Sequence, residues 1–183
     1  MKQILQLILV LQFISNFSCS PSKAIKIDKE TKLALDSSKK YVSAMDLTKI
    51  GFSKISIKKD EEIWVYRNSK NEIIVLSRRL ITIPSNKIIN YYFDHNTLIC
   101  SDHFELNRAK VKNGIYAEQK QYFFYKEKTI QTLERELKSK NLSEDEIQLK
   151  LVKKSWKNFK ANSFIYHDEI ALMEKLKTLI NIK

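Results

Sequence analysis

Between residues 55 and 125 the chain alternates short apolar segments with short polar turns, and this spacing restricts the possible folds more than any other feature. Asn113 and Gly114 form the strongest turn signal, because both residue types readily adopt positive φ angles. Residues 94–96 are a second polar connection. Pro84 cannot donate a hydrogen bond to a neighbouring strand, so it marks a strand end or an edge. Short connections join antiparallel neighbours, and the pattern therefore predicts an antiparallel β-meander of about six strands.

Helical periodicity flanks the meander on both sides. Before it, Tyr41, Val42 and Met45 lie at helical spacing and predict a helix from residue 37 or 38, with Gly51 placed to end it. After it, apolar residues at helical spacing predict helices that start near Ile130, run from Ser143 to about Phe159, and start at Asp168. The sequence thus predicts an α+β domain with an N-terminal helix, the meander, and two or three C-terminal helices.

Five lysines form a basic sector on the predicted helix that starts at Ser143. At about 100° per residue they lie on one side, while Val152, Trp156 and Phe159 lie on another. The lysines are Lys150, Lys153, Lys154, Lys157 and Lys160. Two interpretations are open. We favour a solvated face above a core-facing stripe, and the alternative is a surface that binds an anionic membrane or an acidic partner.

Residues 1–18 have the pattern of an export signal. Lys2 precedes an apolar run over residues 4–17 that contains only four polar side chains. A transmembrane helix needs about 20 apolar residues, so a run of this length favours a signal peptide that is removed on export. The protein is therefore expected to act outside the cytoplasm.

The residues that follow this run resemble the end of a bacterial lipoprotein signal peptide, in which cleavage occurs before a cysteine that carries diacylglycerol. Ser18 and Cys19 carry the resemblance. It implies that Cys19 is lipidated and becomes the first mature residue, and that the protein is anchored in the bacterial cell envelope. Ordinary signal cleavage, for example after Ala24, is the alternative. Cys100 is then either an unpaired core thiol or the disulfide partner of Cys19.

The mature chain is expected to consist of a tether and one domain. Residues 19–36 are rich in charge and poor in apolar side chains, so we interpret them as a flexible or loosely docked tether, followed by a single domain over residues 37–183. The formal net charge of the whole chain is +12, with lysines scattered among acidic residues along most of it. For an exported protein, this distribution indicates a solvated surface, and we expect no nucleic-acid partner.

Chemistry-bearing residues are few. The sequence has no HExxH, no paired CxxC, no Gly-rich phosphate loop and no GxSxG elbow. His103 and Glu105 are two apart on a predicted strand and share a face, with Asp94 in the preceding turn. These three are weak candidates for a metal site or an acid–base pair. Because they lack a fixed ligand spacing, we predict no catalytic residue and no cofactor.

Two functions follow from these features. The favoured one is a membrane-anchored envelope lipoprotein that acts as a non-enzymatic binding module. One version of it is an immunity-type protein, which neutralises a toxin by covering its active site. Its expected partners are the membrane, through the lipid anchor, and an envelope component or exported protein. The alternative is a small metal-binding protein or hydrolase that uses His103, Glu105 and Asp94.

Overall fold

A single antiparallel sheet makes up the centre of residues 27–181, the part of the chain that the computed structural model describes. The elements, in chain order, are α1 (Lys29–Ala44), β1 (Phe52–Lys58), β2 (Glu61–Arg67), β3 (Ile73–Ile81), β4 (Ser85–Asp94), β5 (Thr97–Asn107), β6 (Ile115–Tyr125), β7 (Lys128–Ser139), α2 (Glu144–Val152), β8 (Lys157–Phe159) and α3 (Ser163–Asn181). The strands lie in the sheet in their sequence order. The α+β class and the meander are confirmed, although the described residues form eight strands rather than about six.

The strongest turn signal lies where the sequence places it. Asn113 has a φ of 55° and comes shortly before β6. Gly114 does not adopt a positive φ, and glycine is required there because a side chain would not fit. A Cβ atom there would lie 2.6 Å from the carbonyl oxygen of Ser139, the last residue of β7. The turn therefore requires left-handed backbone at one residue and a missing side chain at the next.

Side chains alternate across the sheet, and helices cover both of its faces. On one face, here called the α3 face, Met173 and Leu176 of α3 pack into a cluster with Ile63 and Tyr91. On the opposite face, here called the α1/α2 face, two separate clusters form along β5. One cluster contains Leu35 of α1 with Cys100 and Phe123, and the other contains Ile147 and Leu151 of α2 with Leu106 and Ala117. Cys100 and Leu106 are an even number of residues apart, so both helices lie on the same side.

Helix α1 begins at Lys29, eight or nine residues before the predicted start, so residues 29–36 of the expected tether are helical. Asp28 is the N-cap, and its carboxylate accepts a hydrogen bond from the backbone N–H of Thr31 at 2.9 Å. Leu35 is only 5% exposed and packs against the sheet. A capped first turn and one deeply buried leucine therefore order a segment whose average composition is polar.

The helix predicted from Ile130 is wrong, because this segment is strand β7. It pairs with β6 along its whole length, from Lys128 opposite Tyr125 to Ser139 opposite Ile115. A register shift opposite Phe123 and Phe124 places Ile130 in the same cluster as Leu133. That irregularity gives the strand an apolar spacing that resembles a helix. Pairing over an entire neighbouring strand then outweighs the local preference.

Helix α2 begins as predicted but ends early. The capping box is confirmed, with the side chains and backbones of Ser143 and Glu146 bonded reciprocally. The helix stops at Val152, not near Phe159, and the chain turns to form β8 on the outer edge of β7. Val152 is 61% exposed and Phe159 is 47% exposed, so neither belongs to the core that the predicted stripe required.

The basic helical sector therefore does not exist. Its five lysines are all exposed. Lys150 lies in α2, Lys153 caps its C-terminus, Lys154 follows it, Lys157 begins β8, and Lys160 comes after β8. Lys154 reaches back to the sheet, where its Nζ donates to the carbonyl oxygen of Glu136 at 2.6 Å. The lysines are distributed over a helix end, a turn and a strand, which favours the solvated surface over a dedicated basic helix.

Two further details differ from the predicted pattern. Helix α3 starts at Ser163 rather than Asp168. Simple alternation would place Leu98 and Cys100 on the same strand face, but Leu98 packs in the α3-face cluster. The register shift between Tyr92 and Phe93 inserts one extra residue into β5 and exchanges the faces. Cys100 is fully buried, as expected, and burial raises the pKa of its thiol.

The predicted signal peptide and the lipidation site lie outside the described residues. Cys19, residues 1–18 and the cleavage alternative after Ala24 all fall there. No helix within residues 27–181 is both long and apolar enough to cross a membrane.

Replacing Leu35 tests whether the start of α1 is folded onto the sheet. Leu35→Ala is expected to lower the free energy of unfolding by about 2–5 kcal/mol, because it leaves a cavity in the α1 cluster. Leu33→Ala is the matched control, since Leu33 is 61% exposed on the same helix, and should change stability by less than about 0.5 kcal/mol. Urea denaturation measures both. Equal small effects would mean that residues 29–36 behave as a tether.

Candidate functional site

The structure does not bring the three weak metal candidates together. Asp94 pairs with Thr97 at the beginning of β5, whereas His103 lies six residues further along that strand. At the rise of an extended strand this separates them by about 20 Å. Within residues 27–181, no group of three or more His, Cys, Asp or Glu side chains is placed to hold a metal ion.

His103 has a structural partner instead. Its Nε2 lies 3.0 Å from both carboxylate oxygens of Glu169 in helix α3, and the carboxylate is almost completely buried. The ring of Tyr122 meets the His103 ring edge-on at 5.3 Å between centroids. The pKa of the neighbouring Tyr91 hydroxyl is raised, chiefly by burial and secondly by the negative charge of Glu169. The contact fixes α3 on the sheet, and the sequence could not reveal it because the two residues are 66 positions apart.

Glu105 lies on the same face but takes part in a different set of contacts. Its Oε1 accepts from the amide of Asn107 at 2.8 Å and lies 3.4 Å from Nζ of Lys110. These hydrogen bonds and charges lower the pKa of Glu105, although partial burial opposes them. Glu105 therefore does not act together with His103, and each side chain is already occupied.

Three depressions in the described part of the chain have the size of a small-molecule site. One, of about 780 Å³, lies between α1 and α3 around the β4–β5 turn, where it is lined by Asp94 and His95. His95 is largely exposed there, with its Nδ1 2.8 Å from Asp94. Another, of about 640 Å³, lies beside the start of α1 and the β6–β7 turn. The third, of about 460 Å³, lies on the α1/α2 face between α2 and strands β3 and β4. Of these three, only the third reaches a buried network of charged side chains, and we call it the α2 cleft.

The α2 cleft combines apolar walls with a polar floor. Its apolar lining is Leu80, Ile81, Ile88, Phe104, Leu151 and Val152, and its polar lining is Arg79, Asn86, Lys87, Asn90, Asp102, Gln119, Arg135 and Gln148. Such a mixture of apolar surface and a few converging polar groups is typical of ligand sites.

A chain of hydrogen bonds crosses the floor from β5 to the end of α2. The carboxylate oxygens of Asp102 accept from Nε2 of Gln119 at 2.9 and 2.8 Å. The Oε1 of Gln119 accepts in turn from Nε of Arg135 at 2.9 Å and from Nη2. Nη1 of Arg135 donates to the carbonyl oxygen of Val152, the last residue of α2. A cation at this position also complements the negative end of the helix dipole.

Burial dominates the electrostatics of this network. Asp102 and Arg135 are each 8% exposed. Burial raises the pKa of Asp102, although hydrogen bonds from Gln119 and Gln121 oppose the shift. Burial likewise lowers the pKa of Arg135, against the attraction of Asp102. The Arg135 guanidinium carbon also lies 4.1 Å from the centroid of the Trp156 ring. Two opposite charges are thus held in the interior through one bridging amide.

Arg79 stands at the edge of the cleft in a stack of planar groups. Its guanidinium carbon lies 3.5 Å from the centroid of the Trp64 ring. The Phe52 ring stacks on the same indole, with centroids 4.2 Å apart and planes 2° from parallel. Both groups cannot occupy one side of the indole without overlapping, so Trp64 lies between them. The stack holds the guanidinium flat and in place.

Two buried atoms beside the cleft have no hydrogen-bond partner in the described part of the chain. They are Nε of Arg79 and Oδ1 of Asn90. A buried polar atom that stays unpaired costs roughly 1–3 kcal/mol. Proteins retain few such atoms, and each one indicates strain, bound water or a functional site.

Comparisons with known proteins do not assign the chain to a family. No family model, no curated protein and no solved structure matches it. The function must therefore be argued from the residues and their geometry.

One sign of this site is present in the sequence. Asp102 alternates with Cys100, Phe104 and Leu106, and a charged residue on such a mostly apolar strand face requires a partner. Gln119 and Arg135 were not recognised as those partners, because the segment around Arg135 was predicted to be a helix. The network forms only when β5, β6 and β7 lie side by side.

Asp102→Asn is expected to change the pH dependence of stability. The raised pKa of Asp102 means that the folded protein binds this proton more tightly than the unfolded chain, whose value is 3.8. The contribution to the free energy of unfolding is fully present below pH 3.8 and is lost as the pH rises through the raised pKa. Urea denaturation from about pH 3 to pH 7 should therefore show the variant gaining stability relative to wild type as the pH rises.

The control for this experiment is Asp36→Asn, at an exposed position of α1. It makes the same substitution away from the buried network. If Asp102→Asn and wild type instead gave parallel stability curves, the burial of a charged carboxylate at this position would be disproved.

Proposed function

We propose that the protein is a membrane-anchored lipoprotein of the bacterial cell envelope that acts as a non-enzymatic binding module, with the α2 cleft as its binding site. The observation that supports the binding site is the guanidinium of Arg79, which is stacked on Trp64 at the edge of a cleft of ligand size and whose terminal nitrogens donate to no acceptor within residues 27–181. A binding role is favoured over acid–base chemistry because His103 is bonded to Glu169, and Asp94 is remote from both.

The anchor is proposed from the sequence around Cys19, and the position of α1 is compatible with it. Glu30, in the first turn of α1, is bonded to Lys126 at the β6–β7 turn, with Oε2 to Nζ at 3.0 Å. The cleft lies toward the other ends of the strands, where Ile81 ends β3 and Asn86 lies near the start of β4. A lipid attached shortly before α1 would therefore leave the cleft free for an envelope component or an exported protein.

The lipid anchor is tested by the intact mass of the mature protein purified from membranes. We expect a chain that begins at Cys19 and carries diacylglycerol, and a Cys19→Ala variant that lacks this mass and leaves the membrane fraction. A shorter, unlipidated and soluble wild-type chain, cut for example after Ala24, would contradict the proposed anchor. It would leave the proposed binding site standing, because the cleft lies wholly within the described domain.

The binding role is tested by capture from solubilised envelope extract. Wild type should retain a specific component, and Arg79→Ala should lose most of it, because the variant removes the unpaired cation of the cleft. Arg78→Ala is the matched control. Arg78 is the preceding residue on β3, lies on the α3 face and pairs with Glu61 at 2.7 Å. Equal retention by wild type and both variants would contradict a role for the cleft.

The immunity-type version predicts which component is captured. An exported toxin retained by wild type and released by Arg79→Ala would support it. A component of another class would contradict that version while supporting the general proposal.

A further inference from the structure

Arg79 differs from the other arginines in the described part of the chain. Four of them donate to protein acceptors: Arg67 to the carbonyl oxygen of Asn71, Arg78 to Glu61, Arg108 to Glu144, and Arg135 to Gln119 and Val152. Within residues 27–181, Arg79 has no hydrogen bond or ion pair to an acceptor, and its contact is with the face of Trp64. The carboxylate of Glu62 lies opposite Arg79 on β2 and attracts its charge. Glu62 is already bonded to Trp64 and paired with Lys54, so the terminal nitrogens of Arg79 keep donors for an anion from outside the chain.

The geometry of the stack favours a carboxylate over other anions. A guanidinium held flat against an indole presents its N–H groups along its edge, in one plane. A carboxylate is also planar and accepts two such hydrogen bonds side by side. Nε is enclosed by protein atoms, so the terminal nitrogens of Arg79 are the ones that meet the ligand.

The remaining charges of the cleft are consistent with an anionic ligand. Lys87 borders the cleft but lies opposite Glu105, and its charge helps to lower the pKa of that carboxyl group on the α3 face. The one carboxylate of the lining, Asp102, already accepts two hydrogen bonds from Gln119. The guanidinium of Arg135 donates to the oxygen of the same Gln119 amide. A cationic ligand would therefore find no free acceptor carboxylate in the cleft, whereas an anionic ligand would meet the terminal nitrogens of Arg79.

The walls indicate what is attached to the anionic group. Ile88, Phe104 and Leu151 form an apolar surface between the floor and α2. Ile81 and Val152 belong to the same lining and are 56% and 61% exposed. Exposed aliphatic side chains at the mouth of a cleft are stabilised when an apolar chain covers them. The volume of about 460 Å³ lies within the range of about 300–1,000 Å³ that small ligands occupy.

From this arrangement we infer that the α2 cleft binds a small amphipathic carboxylate, whose carboxylate pairs with Arg79 and whose aliphatic chain lies between Ile88, Phe104 and Val152. The inference rests on the proposed binding function and names its ligand class. Free fatty acids have this chemistry, and they arise wherever envelope lipids are turned over.

Octanoate is the probe, because it carries the carboxylate and a flexible chain and remains soluble. The full mature chain, purified from membranes in a nonionic detergent, is titrated with octanoate in a calorimeter, and a titration of detergent alone is subtracted. We expect saturable binding at one site. Octanamide, which has the same chain without the charge, and acetate, which has the charge without the chain, should each bind at least roughly tenfold more weakly.

Variants at the two ends of the cleft test the orientation. Arg79→Gln and Val152→Asp should each weaken octanoate binding by roughly tenfold or more, because the first removes the pairing cation and the second places a negative charge beside the chain. Arg78→Gln on the α3 face and Leu149→Asp are the matched controls and should bind as wild type does. Leu149 lies on the outer side of α2 and is 64% exposed. Circular dichroism checks that all four variants are folded.

Several outcomes would overturn the inference: no saturable binding of octanoate, equal binding of octanamide, or wild-type affinity in Arg79→Gln. These results are separable from a failure of the proposed function. If envelope capture still depends on Arg79 while octanoate does not bind, the binding role survives and only the ligand class is wrong. If octanoate binds but capture fails and Cys19 is not lipidated, the ligand class survives and the envelope role is wrong.

Discussion

The burial of β5 on both faces is the constraint on which the rest of the structure depends. Cys100, Asp102 and Leu106 point toward α1 and α2, while His103 points toward α3. A register slip of one residue would exchange these sets and place a carboxylate in the α3 core. The register shift at Tyr92 and Phe93 shows the same constraint, since it moves Leu98 to the opposite cluster. Helix placement and site geometry both follow from this alternation.

Each helix is attached to the sheet by polar contacts in addition to its apolar stripe. Glu30 of α1 meets Tyr125 and Lys126, Glu169 of α3 meets His103, and the carbonyl oxygen of Val152 in α2 meets Arg135. The contact of α1 is exposed and contributes little. The contacts of α3 and α2 are largely buried, so the loss of one partner would leave a polar group unpaired in the interior.

The contact of α2 differs from the other two because it belongs to the buried network on the floor of the α2 cleft. His103 and Glu169 are bonded to each other, so this buried titratable pair is explained without a binding or catalytic role. Arg79 and Asn90 retain unpaired buried atoms, and the stack on Trp64 holds Arg79 where a ligand can reach its outer edge. Buried polar atoms in proteins usually have hydrogen-bond partners. The proposed function therefore depends on the unpaired groups of Arg79 and Asn90 beside the cleft, and not on the number of charges nearby.

Local chemistry determined much of the fold from the sequence alone. Asn113 with Gly114, the proline after β3 and the capping box at Ser143 act within a few residues, so the turns and the start of α2 were predictable. The export signal and Cys19 are likewise sequence features, and the anchor stays a prediction.

Tertiary structure decided β7, the early end of α2 and the α2 cleft. In each case a distant strand supplies the partner: β6 pairs with the segment from Lys128, and Arg135 reaches Asp102 only through Gln119. Spacing along a chain records which residues can share a face, but not which other strand will lie beside them.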